Sequence, residues 1–400
     1  MACEKLFLSG NEAIAWGVKL SRPHVIAAYP ITPQTIVVER LSEMVESGLL
    51  NAEYMHVESE YSALSALMGA SAVGARTFTA TSSQGLLYMT ECLHYASGGR
   101  FPIVMMNANR SLALPWSIYG DQRDSLSLLD AGWIQVYAED AQESLDLVIQ
   151  AYKIAEDARV STPIMINLDG FVLTHTYEPV IVPSQEEVDA FLPPFTTTNK
   201  MDLENPTNMG FSSTPNDNME FKYIQHQAMI EAKEVIQEVE LAFEKQFSRR
   251  YGGLVDNYQT DDAEVILVTL GSISATVRAV VDELRANGHK VGLSKIRYMR
   301  PFPHDEIAAL AKNAKIIGVL EKDISFGSEG TVFTNVNSSL IRAKKAINVL
   351  NFIAGLGGRS ISTNDIRMIF ETLEANKEAK IKEHVRFVNL NVPTKEEVHP

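Results

Sequence analysis

Short apolar runs alternate with segments of helical periodicity along most of this chain, and each apolar run ends in a polar turn. In the first half of the sequence, strand-like runs, either apolar or rich in β-branched residues, occur at residues 24–29, 54–57, 76–81, 102–107, 133–137 and 163–168. Continuous apolar runs of this length are typical of buried strands, and their alternation with helices is typical of parallel βαβ units. We therefore predict an α/β domain with a doubly wound parallel sheet that ends near Val182.

A second series of strands and helices is predicted after a stretch of different composition. Residues 183–215 are rich in Pro, Thr, Asn and Ser, which indicates an extended connection, and residues 219–251 have the periodicity of a long helix. We therefore expect four parts: an α/β domain at 1–182, the connection and long helix at 183–260, a second α/β domain at 261–375, and a peripheral charged tail at 376–400.

The stretch His56–Gly69 is the most informative strand end, because acidic residues there separate a predicted buried strand from a helix of small residues. Glu60 is expected at the carboxyl edge of the sheet, where parallel α/β proteins bind their ligands. It would also meet the positive end of the helix dipole, so Glu58 and Glu60 can equally be interpreted as helix-capping acids. This stretch alone leaves both interpretations open.

Two further turns place polar side chains at the same predicted edge. Pro30 and Pro33 stop one strand, and Thr32 between them either caps the next helix or directs its hydroxyl to a ligand. Ser83 and Gln84 follow another strand in a turn of small polar residues. Such a turn is an ordinary helix start, or it offers hydroxyl and backbone N–H groups to a ligand.

Arg110 is the only cation that the sequence places near this edge. Its planar guanidinium is suited to a substrate carboxylate, and the alternative is a structural ion pair with Asp121 or Asp124. The loop that follows is too broken for a helix and contains Trp116. We expect Trp116 to pack under this loop, and the alternative is a position in the wall of a pocket for a larger substrate.

Charge and cysteine content exclude several classes of function. The formal net charge of −15 argues against a surface for nucleic acid or an anionic membrane. Cys3 and Cys92 are the only cysteines, so this chain cannot hold a four-cysteine iron–sulfur cluster. No signal peptide or membrane span is visible, and a cytoplasmic location is expected. The glycine run at 355–358 lacks the spacing of a dinucleotide-binding loop and is expected to be a tight turn.

Several short motifs occur together in one order, at residues 29–33, 58–60, 79–85, 109–110, 117–122, 169–171, 297, 300–303 and 355–359. Through them the chain resembles the α subunit of the 2-oxoacid:ferredoxin oxidoreductases, most closely the pyruvate group. The resemblance covers nearly the whole chain. It implies a pyrimidine-binding domain of a thiamine diphosphate enzyme and a second domain similar to the carboxy-terminal domain of transketolases.

The resemblance also implies cofactors and partners. Thiamine diphosphate would be bound between this chain and a β subunit, and the β subunit would supply the diphosphate and Mg²⁺ site. [4Fe-4S] clusters would lie on partner subunits, which include ferredoxin-like γ and δ subunits, and no metal is expected on this chain. Coenzyme A, a 2-oxoacid and ferredoxin would be the reactants. The isolated chain is therefore expected to be incomplete as an enzyme.

The family's functional residues correspond to positions already placed at the predicted sheet edge. Glu60 corresponds to the glutamate that contacts the pyrimidine, and Thr32 and Arg110 correspond to the residues that contact the substrate. Ser83 and Gln84 are further candidates for cofactor binding, and Glu58 is expected to be structural.

The implied reaction is the reversible oxidative decarboxylation of a 2-oxoacid with coenzyme A to acyl-CoA, CO₂ and reduced ferredoxin, with pyruvate as the first choice. One alternative is the same chemistry on a branched-chain or aromatic 2-oxoacid. Another is a non-catalytic scaffold subunit, which the presence of Glu60 opposes. A transketolase-like enzyme without electron transfer would need a Gly-Asp-Gly diphosphate motif in the same chain, and the sequence contains none.

Overall fold

The computed structural model of the protein describes residues 4–210, 212–343 and 346–391. Cys3 and residues 392–400 of the expected tail lie outside these ranges. The chain forms two compact units. The first contains the residues up to Asp256 together with Arg297–Phe302, and the second contains Asn257–Ile296 and the residues from Pro303 onward. The four-part division expected from the sequence stays a prediction.

Strands and helices alternate as the periodicity predicts. The strands are β1 (Glu4–Ser9), β2 (Val25–Ala28), β3 (Glu53–His56), β4 (Thr77–Thr81), β5 (Val104–Asn109), β6 (Ile134–Tyr137), β7 (Ile164–Asp169), β8 (Tyr177–Val182), β9 (Val255–Tyr258), β10 (Val265–Leu270), β11 (Val291–Ile296), β12 (Tyr298–Arg300), β13 (Ile316–Glu321), β14 (Asn348–Ile353) and β15 (Val385–Phe387). The helices are α1 (Gly10–Ser21), α2 (Thr35–Glu46), α3 (Glu60–Ala72), α4 (Ser83–Tyr88), α5 (Thr90–Gly98), α6 (Arg123–Leu126), α7 (Ala141–Ala155), α8 (Gln185–Phe191), α9 (Asn218–Phe247), α10 (Ile273–Ala286), α11 (His304–Leu310), α12 (Thr331–Leu340) and α13 (Thr363–Ala375). None of the helices in the described ranges is both long enough and apolar enough to cross a membrane.

The first unit is built on a sheet with the strand order β12-β6-β7-β5-β4-β2-β3. The pairs from β6 to β3 are parallel, and β12 adds to β6 in the antiparallel direction. Helices cover both faces: Val104 and Met106 pack in one core with α1 and α7, while Met105 between them packs in another core with α3 and α5. The predicted α/β class with a doubly wound parallel sheet is confirmed.

β3 differs from the buried strand that we predicted at residues 54–57. It is the edge strand of the sheet, and Glu53, Met55 and His56 are exposed. The prediction of burial was wrong because an apolar run of four residues does not reveal whether a strand has one neighbour or two. The register nevertheless pairs Ala28 with His56, so β2 and β3 end together and α3 begins at the carboxyl edge of the sheet.

A buried ion pair anchors the segment that carries β12. Arg297 donates a hydrogen bond from Nε to Glu143 Oε1 on α7 at 2.8 Å and another from Nη1 to the Gly253 carbonyl at 2.6 Å. Its Nη1 also lies 3.5 Å from Glu240 Oε2 on α9. Residues from three parts of the sequence therefore converge on one guanidinium inside the first unit.

The second unit contains a sheet with the order β15-β14-β13-β10-β11-β9. Parallel pairs join β11 to β10, β10 to β13, β13 to β14 and β14 to β15. The order from β11 to β15 is the 2-1-3-4-5 order of doubly wound folds such as flavodoxin. β15 lies in the expected peripheral tail, so that part of the tail belongs to the sheet. The glycine run after β14 forms a short 3-10 turn at Leu356–Gly358, as predicted.

Candidate functional site

Glu60 is the first residue of α3, and its side chain is 7% exposed. Ser59 provides the N-cap, because its hydroxyl accepts a hydrogen bond from the backbone N–H of Ser62 at 3.2 Å. The Glu60 carboxylate has no hydrogen bond or ion pair with any described residue. Glu58 is exposed and accepts a hydrogen bond from the Ser62 hydroxyl at 2.6 Å, which agrees with a structural role.

The Glu60 carboxylate lies against Gly85 in the first turn of α4. A Cβ atom on Gly85 would lie 2.5 Å from Glu60 Oε1 and 2.8 Å from Thr81 Oγ1, so only glycine leaves room for both groups. The Thr81 hydroxyl is buried at the end of β4 and has no hydrogen-bond partner in the described part of the chain. Buried polar groups are nearly always hydrogen-bonded, so a carboxylate and a hydroxyl left without partners at one place indicate a position for a ligand or water.

Arg110 follows β5 and is 4% exposed. Its Nη1 donates to the Thr32 carbonyl at 2.9 Å, and its Nε donates to the Ser117 carbonyl at 3.2 Å. Neither Asp121 nor Asp124 forms an ion pair with the guanidinium, so the structural ion pair that we considered is absent from the described residues. Burial lowers the pKa of Arg110 from its ordinary value, although a guanidinium remains protonated.

Thr32 reaches this site through its backbone. Its carbonyl accepts the hydrogen bond from Arg110, and its side chain is exposed without a hydrogen-bond partner among the described residues. Of the two interpretations of Thr32, the helix N-cap is not found, because α2 begins at Thr35 with Gln34 in the cap position. Gln34 is fixed by hydrogen bonds from its Nε2 to the carbonyls of Tyr29 and Ala80, at 2.9 Å and 3.3 Å.

Asp124 is a buried carboxylate that holds the turns of the site together. The sequence did not indicate this role. The carboxylate is fully buried and accepts hydrogen bonds from the backbone N–H groups of Ser83, Arg110 and Ser125 and from the side-chain amides of Asn107 and Asn109. Burial raises the pKa of Asp124 to about 6. This one carboxylate therefore fixes the turn after β4 relative to the end of β5.

Ser83 and Gln84 lie in the turn held by Asp124, next to Gly85. The Ser83 hydroxyl has two acceptors within hydrogen-bond distance for its one proton, the Ser111 carbonyl at 2.8 Å and Gln84 Oε1 at 2.6 Å. Ser83 has a positive φ of 52°, which the surrounding hydrogen bonds must hold in place. The structure thus brings both residues near Glu60, with the Ser83 side chain already engaged inside the chain.

Trp116 does not pack under its loop, so that prediction was wrong. The side chain is 69% exposed, and its ring centroid lies 5.4 Å from Arg110 Cζ. Other contacts hold the ends of the loop together. The Ser111 N–H donates to the Tyr119 carbonyl at 3.0 Å, and the Tyr119 ring packs on the Phe171 ring with 5.2 Å between their centroids.

Two family models match the chain. The model described as pyruvate flavodoxin/ferredoxin oxidoreductase, thiamine diphosphate-binding, covers residues 17–241, and the model described as pyruvate:ferredoxin oxidoreductase core domain II covers residues 263–366. Pyruvate synthase subunit PorA of Pyrococcus horikoshii is 48% identical over 96% of this chain and 97% of its own length. Ketoisovalerate oxidoreductase subunit VorA of Pyrococcus abyssi is 45% identical over 92% of this chain and 93% of its own length.

Solved structures give the same fold. A 2-oxoglutarate:ferredoxin oxidoreductase from Magnetococcus marinus matches with a TM-score of 0.72 and 18% identity, covering 94% of this chain and 65% of that one. A split-gene transketolase, an inactive β4 tetramer, matches with a TM-score of 0.54 and 11% identity, covering 93% of this chain and 99% of that one. At such low identities the likeness shows the fold alone.

Proposed function

The chain belongs to the α subunits of the 2-oxoacid:ferredoxin oxidoreductase family, as its motifs predicted, and from this membership we propose how its residues take part in the reaction. It is one subunit of a multisubunit oxidoreductase. The proposed reaction is the reversible oxidative decarboxylation of a 2-oxoacid, pyruvate first, with coenzyme A to acyl-CoA, CO₂ and reduced ferredoxin. The pyruvate synthase relatives support this choice.

The observation that carries the proposal is the buried Glu60 carboxylate, which lies beside Gly85 and Thr81 and has no partner among the described residues. An aminopyrimidine presents ring nitrogens and an amino group that match such a carboxylate and hydroxyl, so the residues fit thiamine diphosphate. When bound, this cofactor supplies nucleophilic attack on the 2-oxo carbon and an electron sink while CO₂ leaves. Glu60 would hold the pyrimidine by a hydrogen bond at N1′ and share a proton there, as a general acid–base group.

Arg110 is proposed to bind the substrate carboxylate. Two carbonyl oxygens occupy only part of its guanidinium, so the remaining N–H groups of Nη1 and Nη2 can bind a carboxylate in a bidentate manner. No protein carboxylate among the described residues competes for the group. The exposed hydroxyl of Thr32, whose carbonyl touches Arg110, would donate to a substrate oxygen and help to orient it.

Ser83 and Gln84 are proposed as supporting contacts for the cofactor. A β subunit is proposed to carry the diphosphate and Mg²⁺ site, with [4Fe-4S] clusters on partner subunits that include ferredoxin-like γ and δ chains. Support comes from the relatives, which are named as subunits of pyruvate synthase. A cytoplasmic location is part of the same proposal.

A branched-chain 2-oxoacid is the second candidate substrate, because ketoisovalerate oxidoreductase subunits are almost as similar as the pyruvate synthase subunits. The test is CoA-dependent reduction of a low-potential acceptor by the native complex with pyruvate, 2-oxoisovalerate, phenylglyoxylate and oxalate. We expect the highest kcat/KM with pyruvate. A preference for 2-oxoisovalerate would replace pyruvate as the substrate, and no turnover with any 2-oxoacid would overturn the proposed function.

A further inference from the structure

Similarity over the whole chain does not select the substrate. A pyruvate synthase subunit is 48% identical to this chain and a ketoisovalerate oxidoreductase subunit is 45% identical, with almost equal coverage. Substrates with the same 2-oxoacid group differ only in the side chain beyond it. Discrimination must therefore depend on a few side chains next to the group that binds the carboxylate.

The Arg110 guanidinium contacts two kinds of group, backbone carbonyls and an aromatic ring. Its Nε donates to the carbonyl of Ser117, and its Nη1 donates to the carbonyl of Thr32. One face lies near the indole of Trp116, with 5.4 Å between Arg110 Cζ and the ring centroid. Trp is the best partner for a cation over an aromatic face, and a guanidinium stacks well on it. Trp116 therefore helps to fix the plane in which Arg110 can receive a carboxylate.

Most of the indole nevertheless remains uncovered. Trp116 is 69% exposed, and no other ring or cation of the described residues contacts its ring. A large apolar side chain in an exposed position is informative when it touches a buried functional group, because packing in a core does not account for it. The indole thus combines a contact to the Arg110 guanidinium with a ring that is largely open.

We propose that Trp116 determines substrate specificity by restricting the site at Arg110 to 2-oxoacids with a small side chain, and that it also positions the guanidinium. This inference depends on the proposed function, because it takes Arg110 as the group that binds the substrate carboxylate. A carboxylate bound to Nη1 and Nη2 has the indole at its side. In this proposal the indole takes up volume that a branched side chain would need and that a methyl group would not.

The size of the effect follows from the chemistry of apolar pockets. One methylene more or less in such a pocket changes kcat/KM by about 10–200-fold. Replacement of Trp116 by Ala removes a much larger volume and also the partner of the guanidinium. It is therefore expected to improve the reaction of a branched substrate relative to pyruvate and to weaken the binding of both.

The test uses the complete enzyme complex with the substitutions Trp116→Ala, Trp116→Phe and, as a control, Leu114→Ala. Leu114 is an apolar residue of the same loop that is 87% exposed and has no aromatic ring that could stack on Arg110. In Trp116→Ala we expect the ratio of kcat/KM for 2-oxoisovalerate over pyruvate to rise about tenfold or more. The KM for pyruvate should rise more than kcat falls, because the lost interaction is one of ground-state binding.

Trp116→Phe keeps an aromatic face for the guanidinium, so its KM for pyruvate should stay close to that of the wild type while its substrate ratio rises only partly. Leu114→Ala should keep the wild-type ratio. An unchanged ratio in both Trp116 variants would overturn the inference and leave the proposed function intact, provided that the wild-type complex turns over pyruvate. A wild-type complex inactive with every 2-oxoacid would instead overturn the proposed function and this inference with it.

Discussion

Glu60 in the first unit and Glu321 in the second are both buried where a strand and a helix meet, and each carboxylate packs against a glycine. Glu321 ends β13 and accepts hydrogen bonds from the backbone N–H groups of Val332 and Phe333 and from the Asn351 amide, at 2.8, 3.1 and 2.6 Å. Glu60 has no partner among the described residues.

The comparison separates a structural carboxylate from an available one. Glu321 satisfies the first N–H groups of α12, so its partners are supplied by its own unit. The N-cap of α3 is already Ser59, and Glu60 has no hydrogen bond or ion pair with any residue that the structure describes. Both residues are buried where a strand and a helix meet. What distinguishes them is the number of hydrogen bonds that each carboxylate accepts from the described residues.

The largest effect expected on stability comes from a third buried carboxylate, Glu143, which has a charged partner inside the fold. Arg297→Ala should lower the free energy of unfolding by about 3–5 kcal/mol, because it leaves Glu143 buried without its cation. Denaturant unfolding measures this loss. Arg159→Ala is the control, since Arg159 pairs with acids at an exposed site and its loss should change the free energy of unfolding far less. Equal losses in the two variants would contradict the structural role of the buried pair.

Gly85→Ala tests whether the space beside Glu60 is needed. A Cβ atom would lie 2.5 Å from Glu60 Oε1, so the carboxylate must move, and we expect turnover to fall by about 10²-fold. The control is Gly69→Ala on α3, where a Cβ atom meets nothing within 4 Å and should slightly favour the helix. CoA-dependent acceptor reduction by the complex measures both. Wild-type turnover in Gly85→Ala would show that the position of Glu60 is not critical.

Glu321→Gln tests the hydrogen-bonded carboxylate of the two, Glu321, through the dependence of stability on pH. Burial raises the pKa of Glu321 to about 8, with Asp323 adding to the shift. The folded chain therefore holds this proton more tightly than the unfolded chain, where the pKa is about 4.3. Glu321 stabilises the fold fully below the unfolded value, and this contribution is lost as the pH rises toward 8.

The expected slope is a loss of up to about 1.4 kcal/mol per pH unit in the wild type, and Glu321→Gln should lack this component because Gln does not titrate. Urea unfolding at several pH values between about 5 and 8 measures the slope. Glu371→Gln on the exposed side of α13 serves as the control and should keep the wild-type slope. The same slope in all three proteins would contradict the assignment to Glu321.

Local patterns predicted much of the fold. Helical periodicity and a small-residue helix after an acidic pair placed the start of α3 at Glu60, and the strand ends of β2, β4 and β5 were predicted close to their positions. β12 was not predicted, because its pairing with β6 joins residues more than 150 positions apart in the sequence. The edge position of β3 was missed for the same reason: the number of neighbours of a strand is a property of the whole sheet.

The sequence indicated which residues belong to the candidate site better than it indicated which groups they contact. Family resemblance selected Glu60, Arg110 and Thr32, and their roles remain proposals. The sequence did not indicate that Thr32 meets Arg110 through its carbonyl, since backbone contacts leave no trace in residue type. Nor did it indicate Asp124 as the common acceptor, because a buried acid resembles a surface acid until its donors are known.

The most direct test of the account compares Glu60→Gln with Glu58→Gln in the complete complex, with pyruvate and coenzyme A as substrates. Gln keeps the size of each side chain and removes its ability to exchange a proton. We predict that Glu60→Gln loses about 10²- to 10⁴-fold in kcat, while Glu58→Gln, an exposed position two residues earlier, keeps the wild-type rate. Wild-type turnover in Glu60→Gln would contradict the account and would leave Glu60 as a first-turn residue of α3.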